Sequence, residues 1–144
     1  MTYFHQQVLH LRSTCIPRDY LVQQVMQSRR YIDEHYASDL DLEKMAHEAS
    51  LSKFHFIRLF RTVYGRTPHH YLIEVRVQKA RQILASGRSV MEACHEVGFS
   101  SLTSFTGLFK RMTGSSPAAF RERNRALHQK SNFGEVFPPV IADF

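Results

Sequence analysis

The 144-residue chain is 43% hydrophobic and 22% charged, ordinary globular usage that excludes an intrinsically disordered chain, and its 19 Lys+Arg against 13 Asp+Glu leave it at +6. No apolar run approaches the roughly 20 residues of a spanning helix, and the opening Met1-Thr2-Tyr3-Phe4-His5-Gln6-Gln7 lacks the basic start and apolar stretch of a secretory leader, so the expectation is a cytoplasmic protein with no membrane role. Two distant cysteines, Cys15 and Cys94, without ligand-like Cys/His spacing, argue against a disulfide scaffold and a zinc site.

Residues 1–16 show no periodicity and form an N-terminal extension. Pro17 opens a predicted helix to about Tyr36, apolar at Leu21, Val25, Met26, Ile32 and Tyr36. Asp41 is a good N-cap for a second helix on which Leu42, Met45, Ala46 and Ala49 share one face. After the short turn Ser50-Leu51, Ser52 caps a third helix with a buried stripe at Phe56, Leu59, Phe60 and Val63, stopped by Gly65. Pro68 suits the first position of a long helix over 68–85, apolar at Tyr71, Leu72, Val75, Ala80, Ile83 and Leu84. Ser89 with Glu92 makes a capping box ahead of Val90, Ala93, Cys94 and Val97, Gly98 turns the chain, and Phe105, Leu108, Phe109 and Met112 pattern the helix that follows. Pro117-Ala118-Ala119-Phe120 begins a last short helix that fades after Asn124. The apolar tail from Phe133 to Phe144 has three open readings: a cover for the domain, a seat for a partner, or disorder. The fold class is all-α, with about seven helices.

The elements repeat. Phe56, Leu59-Phe60, Gly65, Pro68 and Tyr71 fall on Phe105, Leu108-Phe109, Gly114, Pro117 and Phe120 at an offset of 49, and His47-Glu48 falls on His95-Glu96 at 48. The second copy has one extra residue in its turn, Gly98-Phe99-Ser100 against Ser50-Leu51. Each copy is helix, tight turn, helix. The charge is uneven over these copies: residues 1–50 carry net −2, residues 51–88 net +7 and residues 89–144 net +1. A solvated face and a footprint for a polyanion both account for such a band.

Taken together, these residues resemble the DNA-binding domain of AraC/XylS-type bacterial transcription regulators. The motifs carrying the resemblance are Tyr31-Ile32, Leu40-Asp41-Leu42-Glu43 with Ala46, Ser52-Lys53-Phe54 through Arg58-Leu59-Phe60-Arg61, Gly65-Arg66-Thr67-Pro68, Arg76 with Ala80 and Leu84, and Val97-Gly98-Phe99-Ser100-Ser101 followed by Phe105, Leu108-Phe109-Lys110, Gly114, Pro117 and Phe120-Arg121. The resemblance covers about residues 25–125. It implies two homeodomain-like helix-turn-helix subdomains, 17–67 and 87–125, joined by a linker helix 68–86 and followed by a tail 126–144. Their second helices, 52–63 and 101–112, would enter successive major grooves of double-stranded DNA. A helix over 68–85 spans about 27 Å at ~1.5 Å per residue, against ~34 Å for one duplex turn, so it suits a spacer between two reading heads.

Residue by residue, the resemblance puts Phe54, Ile57 and Arg58 of the first unit, and Leu102, Thr103 and Ser104 of the second, at base-contacting positions. Arg58 is the candidate for a bidentate contact to guanine, worth ~1–3 kcal/mol of discrimination. Lys53, Arg61 and Arg66, with Thr106, Lys110 and Arg111, are placed at phosphates. Phe54 has a second reading as a buried staple at the helix start, and Arg61 one as a plain solvated charge. Two positions depart from the family pattern: Gly107 stands where arginine is frequent, and Leu102 where a polar residue is usual. Base reading by the second unit is therefore expected to be the weaker. Gly107 has a competing reading as a point of close approach for backbone or a partner.

Nothing points to an enzyme. No G-x-x-x-x-G-K, G-x-S-x-G or H-E-x-x-H occurs, and His47 and His95 sit at matched repeat positions, which favours a structural role. No cofactor is expected. The leading expectation is a stand-alone regulator without an effector domain, monomeric on DNA and able to contact RNA polymerase. The alternative is a protein-interaction module of the same fold that binds RNA polymerase or another regulator, with weak or no base reading. A small-molecule sensor is a third class that no residue specifically supports. Cys94 is expected in the core, and Cys15 is the one cysteine with a claim to exposure.

Overall fold

The computed structural model describes residues 18–134, and among them seven helices and no strand occur. These are α1 (Arg18–His35), α2 (Leu42–Glu48), α3 (Lys53–Tyr64), α4 (Pro68–Ala85), α5 (Val90–Glu96), α6 (Leu102–Thr113) and α7 (Pro117–Gly134). The extension 1–16 with Cys15, the expected helix start Pro17, and the tail beyond 134 lie outside the described residues.

Local chemistry sets the helix ends. The Asp41 carboxylate accepts from the Lys44 amide at 2.8 Å, and the Ser52 and Ser101 hydroxyls accept from the amides of His55 and Ser104. Ser89 and Glu92 form the reciprocal capping box, which satisfies two amide donors that a seven-residue helix would otherwise leave bare. Thr67 and Ser116, 49 positions apart, cap α4 and α7 through the amides of His70 and Ala119, each just ahead of a buried proline at the first helical position.

The chain divides into two compact units, the boundary falling between Ile73 and Glu74 inside α4. The first is built from α1, α2, α3 and the opening turns of α4, around Val25, Ile32, Met45, Ala46, Ala49, Phe56, Phe60 and Leu72. Each large side chain buried here stabilises by ~1.5–3 kcal/mol relative to exposure. Phe56 meets Phe60 edge-on at 5.6 Å between ring centroids, and Phe60 meets Tyr71 at 5.7 Å. The Tyr71 hydroxyl donates to Asp33 at 2.6 Å and accepts from Arg29 Nε at 3.1 Å, which ties the start of α4 to α1. Burial and the hydrogen bond to Asp33 push the Tyr71 hydroxyl above its ordinary titration range.

The second unit repeats this plan with the rest of α4 and α5, α6 and α7. Phe105 and Phe109 stand 5.7 Å apart, and Phe109 meets Phe120 at 5.5 Å, matching Phe56, Phe60 and Tyr71 at the same offset. In each unit an arginine of the leading helix lies over the ring at the closing position: Arg29 of α1 over Tyr71 at 5.8 Å, and Arg81 of α4 over Phe120 at 5.5 Å. Helix α4 thus closes the first unit as α7 closes the second, and leads the second as α1 leads the first. Cys94 is buried beside Ala93 and Val97, as expected, and that burial pushes its thiol up.

The structure departs from the predicted pattern in three places. Met26 is 40% exposed rather than inward; its place on the α1 face belongs to Ser28, fully buried, whose hydroxyl donates to the Met45 carbonyl at 2.8 Å. The inner positions Leu21, Val25, Ser28 and Ile32 step by 4, 3 and 4, and a satisfied serine fills that face where apolar periodicity finds a gap. The extra turn residue of the second copy is Ser100. Ser50 and Gly98 both hold positive φ (53° and 92°), and the amides of Leu51 and Phe99 both return to the carbonyl five residues earlier, so these pairs correspond. Finally, α7 does not fade after Asn124 but continues to Gly134, through the expected start of the tail at 126. Its later turns bury little, yet Arg125, Ala126, Leu127, Gln129 and Lys130 are good helix formers, so intrinsic propensity carries the helix where no apolar stripe marks it.

Candidate nucleic-acid interface

Helix α3 is amphipathic, with Phe56 and Phe60 fully buried on one side. On the other side Phe54, Arg58 and Arg61 follow at i, i+4 and i+7, all exposed, with Ile57 half-buried at their edge. Phe54 is 77% exposed, so it is no buried staple. Its ring makes no aromatic contact among the described residues and stands at the start of the cationic side of the helix. Arg58 makes no ion pair within the described residues, whereas Lys53 is partnered by Glu43 of α2 at 2.9 Å. That pair is exposed and worth little, so a stronger anion can compete for the lysine. Arg66, just past Gly65, is exposed and bonds the Tyr64 carbonyl at 3.4 Å.

Two further side chains belong to this face and escaped the sequence patterns. His55 is half-buried between Phe54 and Phe56, and burial, then the neighbouring Arg58 charge, hold its pKa below the ordinary value. Both causes favour its neutral form. The Thr62 hydroxyl donates its proton to the Arg58 carbonyl at 2.9 Å, which leaves it no proton to donate to a phosphate. A histidine and a threonine on a helix flank carry no periodic signature that would have singled them out.

Helix α6 presents the matching face. Thr103, Thr106, Gly107 and Lys110 stand at the positions of Phe54, Ile57, Arg58 and Arg61. Leu102 (41% exposed), Thr103, Ser104, Lys110 and Arg111 are exposed, and Thr106 is half-buried. Thr106 therefore shares the position of Ile57, while Leu102 and Ser104 flank the shared stripe. At Gly107 an added Cβ would meet nothing within 4 Å, so no packing among the described residues demands a glycine there. The two faces differ in charge: four basic side chains accompany α3 (Lys53, Arg58, Arg61, Arg66) and two accompany α6 (Lys110, Arg111). No group of three or more metal-ligating side chains occurs among the described residues.

A helix-turn-helix domain model matches residues 45–123, over half the chain and across both of these helices. The chain belongs to the AraC-type helix-turn-helix family. It is 36% identical over 96 residues to the MmsAB operon regulatory protein of Pseudomonas aeruginosa, a match covering 66% of this chain and 31% of that protein. Among solved structures, it is similar to the DNA-binding domain of AdpA, a global transcriptional factor crystallised with a target DNA: 36% identity, TM-score 0.68, covering 71% of this chain and 93% of that one. A probable AraC family transcriptional regulator from Rhodopseudomonas palustris shares 26% identity at TM-score 0.65, covering 71% and 97%. The first curated relatives are longer proteins, of which the chain spans 31% to 58%. The family match ends at residue 123, so the last turns of α7 lie beyond it. No described helix is long and apolar enough to cross a membrane.

Proposed function

We propose that the chain is a sequence-specific DNA-binding transcription regulator acting in the cytoplasm, with α3 and α6 entering successive major grooves. The observation that carries this reading is the exposed Phe54–Arg58–Arg61 stripe on a helix whose opposite side buries Phe56 and Phe60, with an exposed counterpart at Thr103, Gly107 and Lys110 opposite the buried Phe105 and Phe109 of α6. The major groove admits one α-helix and shows distinguishable base edges. Arg58 there offers its forked donors to guanine O6 and N7, and Phe54 and Ile57 offer apolar contact to thymine methyl groups. Arg61, Arg66 and, once released from Glu43, Lys53 meet phosphates, which set register and affinity without carrying sequence. In the second unit Leu102, Thr103 and Ser104 touch bases, and Thr106, Lys110 and Arg111 hold the backbone. Similarity to AdpA's DNA-bound domain supports this placement. The chain is read as regulatory rather than catalytic, monomeric on DNA and able to contact RNA polymerase.

Specificity falls mainly to the first unit, because Gly107 leaves α6 without a guanidinium at the position matching Arg58. In titrations of a duplex selected from a random pool and of its scrambled counterpart, Arg58→Ala lowers discrimination by ~1–3 kcal/mol, the worth of one bidentate contact. Gly107→Ala leaves discrimination unchanged and stabilises the fold by up to ~1 kcal/mol, the helix-propensity difference. Equal losses of discrimination in the two variants would refute the ordering of the units.

A further inference from the structure

The last turns of α7, beyond the part of the chain that the family model covers, complete a basic cleft whose other wall lies within it. Arg121, Arg125 and His128, at i, i+4 and i+7, rise along one side of the helix. With Gln129 and the Leu84-Ala85-Ser86-Gly87 turn at the end of α4, they line a cleft of about 460 Å³. Arg121 is committed: its Nε and Nη2 both donate to the Gly87 carbonyl, at 3.3 and 3.0 Å, and pin the helix to the turn. Arg125 is not. No carboxylate or carbonyl partners its guanidinium among the described residues, and no acidic side chain lines the cleft. Glu92 feels the charge of Arg121 but is held by the Ser89 amide and by Arg88. A fixed guanidinium stands beside a free one, and the lining holds no carboxylate to compete for either.

We propose that this cleft seats a backbone phosphate of the bound DNA, so that the DNA contact of this chain extends past the family domain into α7. Duplex DNA is the occupant the charge favours. It is the polyanion that the proposed function already brings to the molecule, and a guanidinium fork recognises a phosphate through two parallel hydrogen bonds. Beyond residue 123 the described part of α7 carries Arg125 and Lys130 and no acidic residue, so the field along these turns is uniformly attractive to such a partner. The inference rests on the DNA-binding reading, and the two fail in different ways.

The test is a salt series of binding titrations with the full chain on the selected and scrambled duplexes, comparing the natural protein with Arg125→Ala, Arg125→Lys and Arg125→Ala/His128→Ala. All these positions are exposed, so the folds survive, and circular dichroism melts verify it. Losing one phosphate contact makes the slope of log K against log salt shallower by ~0.9. Arg125→Ala is expected to show that change and to weaken both duplexes by the same factor. Arg125→Lys keeps the slope, and the double variant is weaker again. A slope and affinity unchanged by Arg125→Ala would overturn the proposal while leaving the DNA reading intact. So would a loss confined to the selected duplex, which marks a base contact, or an Arg125→Ala defect seen only with an acidic peptide. If the natural protein binds no duplex at low salt, the DNA reading itself fails and takes this inference with it.

Discussion

At the scale of single residues, the two units answer the same backbone demand with different chemistry. The turn between the paired helices needs a residue at positive φ; the second unit supplies Gly98 and the first supplies Ser50 at φ 53°. Left-handed backbone costs an L-residue ~1–2 kcal/mol, and glycine's greater freedom in the unfolded chain returns ~0.4–1 of that. Ser50→Gly is therefore expected to stabilise the first unit by ~0.5–1 kcal/mol, read as a higher denaturant midpoint at constant slope. Ser50 is exposed and its side chain makes no bond that the substitution would break, so a lower midpoint would contradict this account of the turn. The sequence matches Gly98-Phe99-Ser100 to Ser50-Leu51 only as groups; pairing Ser50 with Gly98 needs the backbone angles, because serine and glycine share no side-chain property that an alignment would weigh. Ser28 was hidden for a related reason, since its burial is made tolerable by one hydrogen bond to a carbonyl 17 positions away. The exposure of Arg58 was legible from its place opposite the phenylalanine stripe, whereas Phe54 at the helix start had a second reading as a buried staple that only its 77% exposure removes.

At the scale of the elements, short helices depend on their ends. Helix α5 has seven residues and its N-terminal donors are met by a serine and a glutamate, both readable from their spacing. Ser89→Ala removes the hydroxyl acceptor for the Glu92 amide and is expected to cost ~1 kcal/mol, within the usual range for cap removal. An unfolding titration that shows no loss would mean that the Glu92 carboxylate alone secures this end. Helix α4 shows what periodicity leaves out. Its bounds follow from Pro68 and Gly87, yet its apolar side is not one stripe: Leu72 belongs to the core of the first unit, while Val77, Ala80 and Leu84 fall in the second. A helix serving two cores carries two overlapping patterns, which is why Ile73 and Val77 are missing from the single stripe drawn through it. Helix α7 is the opposite case, with too little burial to mark its length and enough propensity to keep it helical.

At the scale of the whole molecule, the charge of +6 is a distribution rather than a total. The band from α3 through Arg88 holds most of the excess, but half of its basic residues, Arg76, Lys79, Arg81 and Arg88, belong to the second unit; four cations accompany α3, two accompany α6, and the last turns of α7 add Arg125 and Lys130. In the proposed complex the α3 face, with four cations against two beside α6, supplies more of the charge, and α6 adds hydrogen bonds and apolar contact. Such binding is driven by release of counterions from DNA, so its dependence on salt counts the phosphates engaged. The most direct measurement is the affinity of the full chain for its selected duplex across a salt series. With about six phosphates neutralised, log K is expected to fall against log salt with a slope near −5, at ~0.9 per contact. A flat response, or no duplex binding at low salt, would contradict the account.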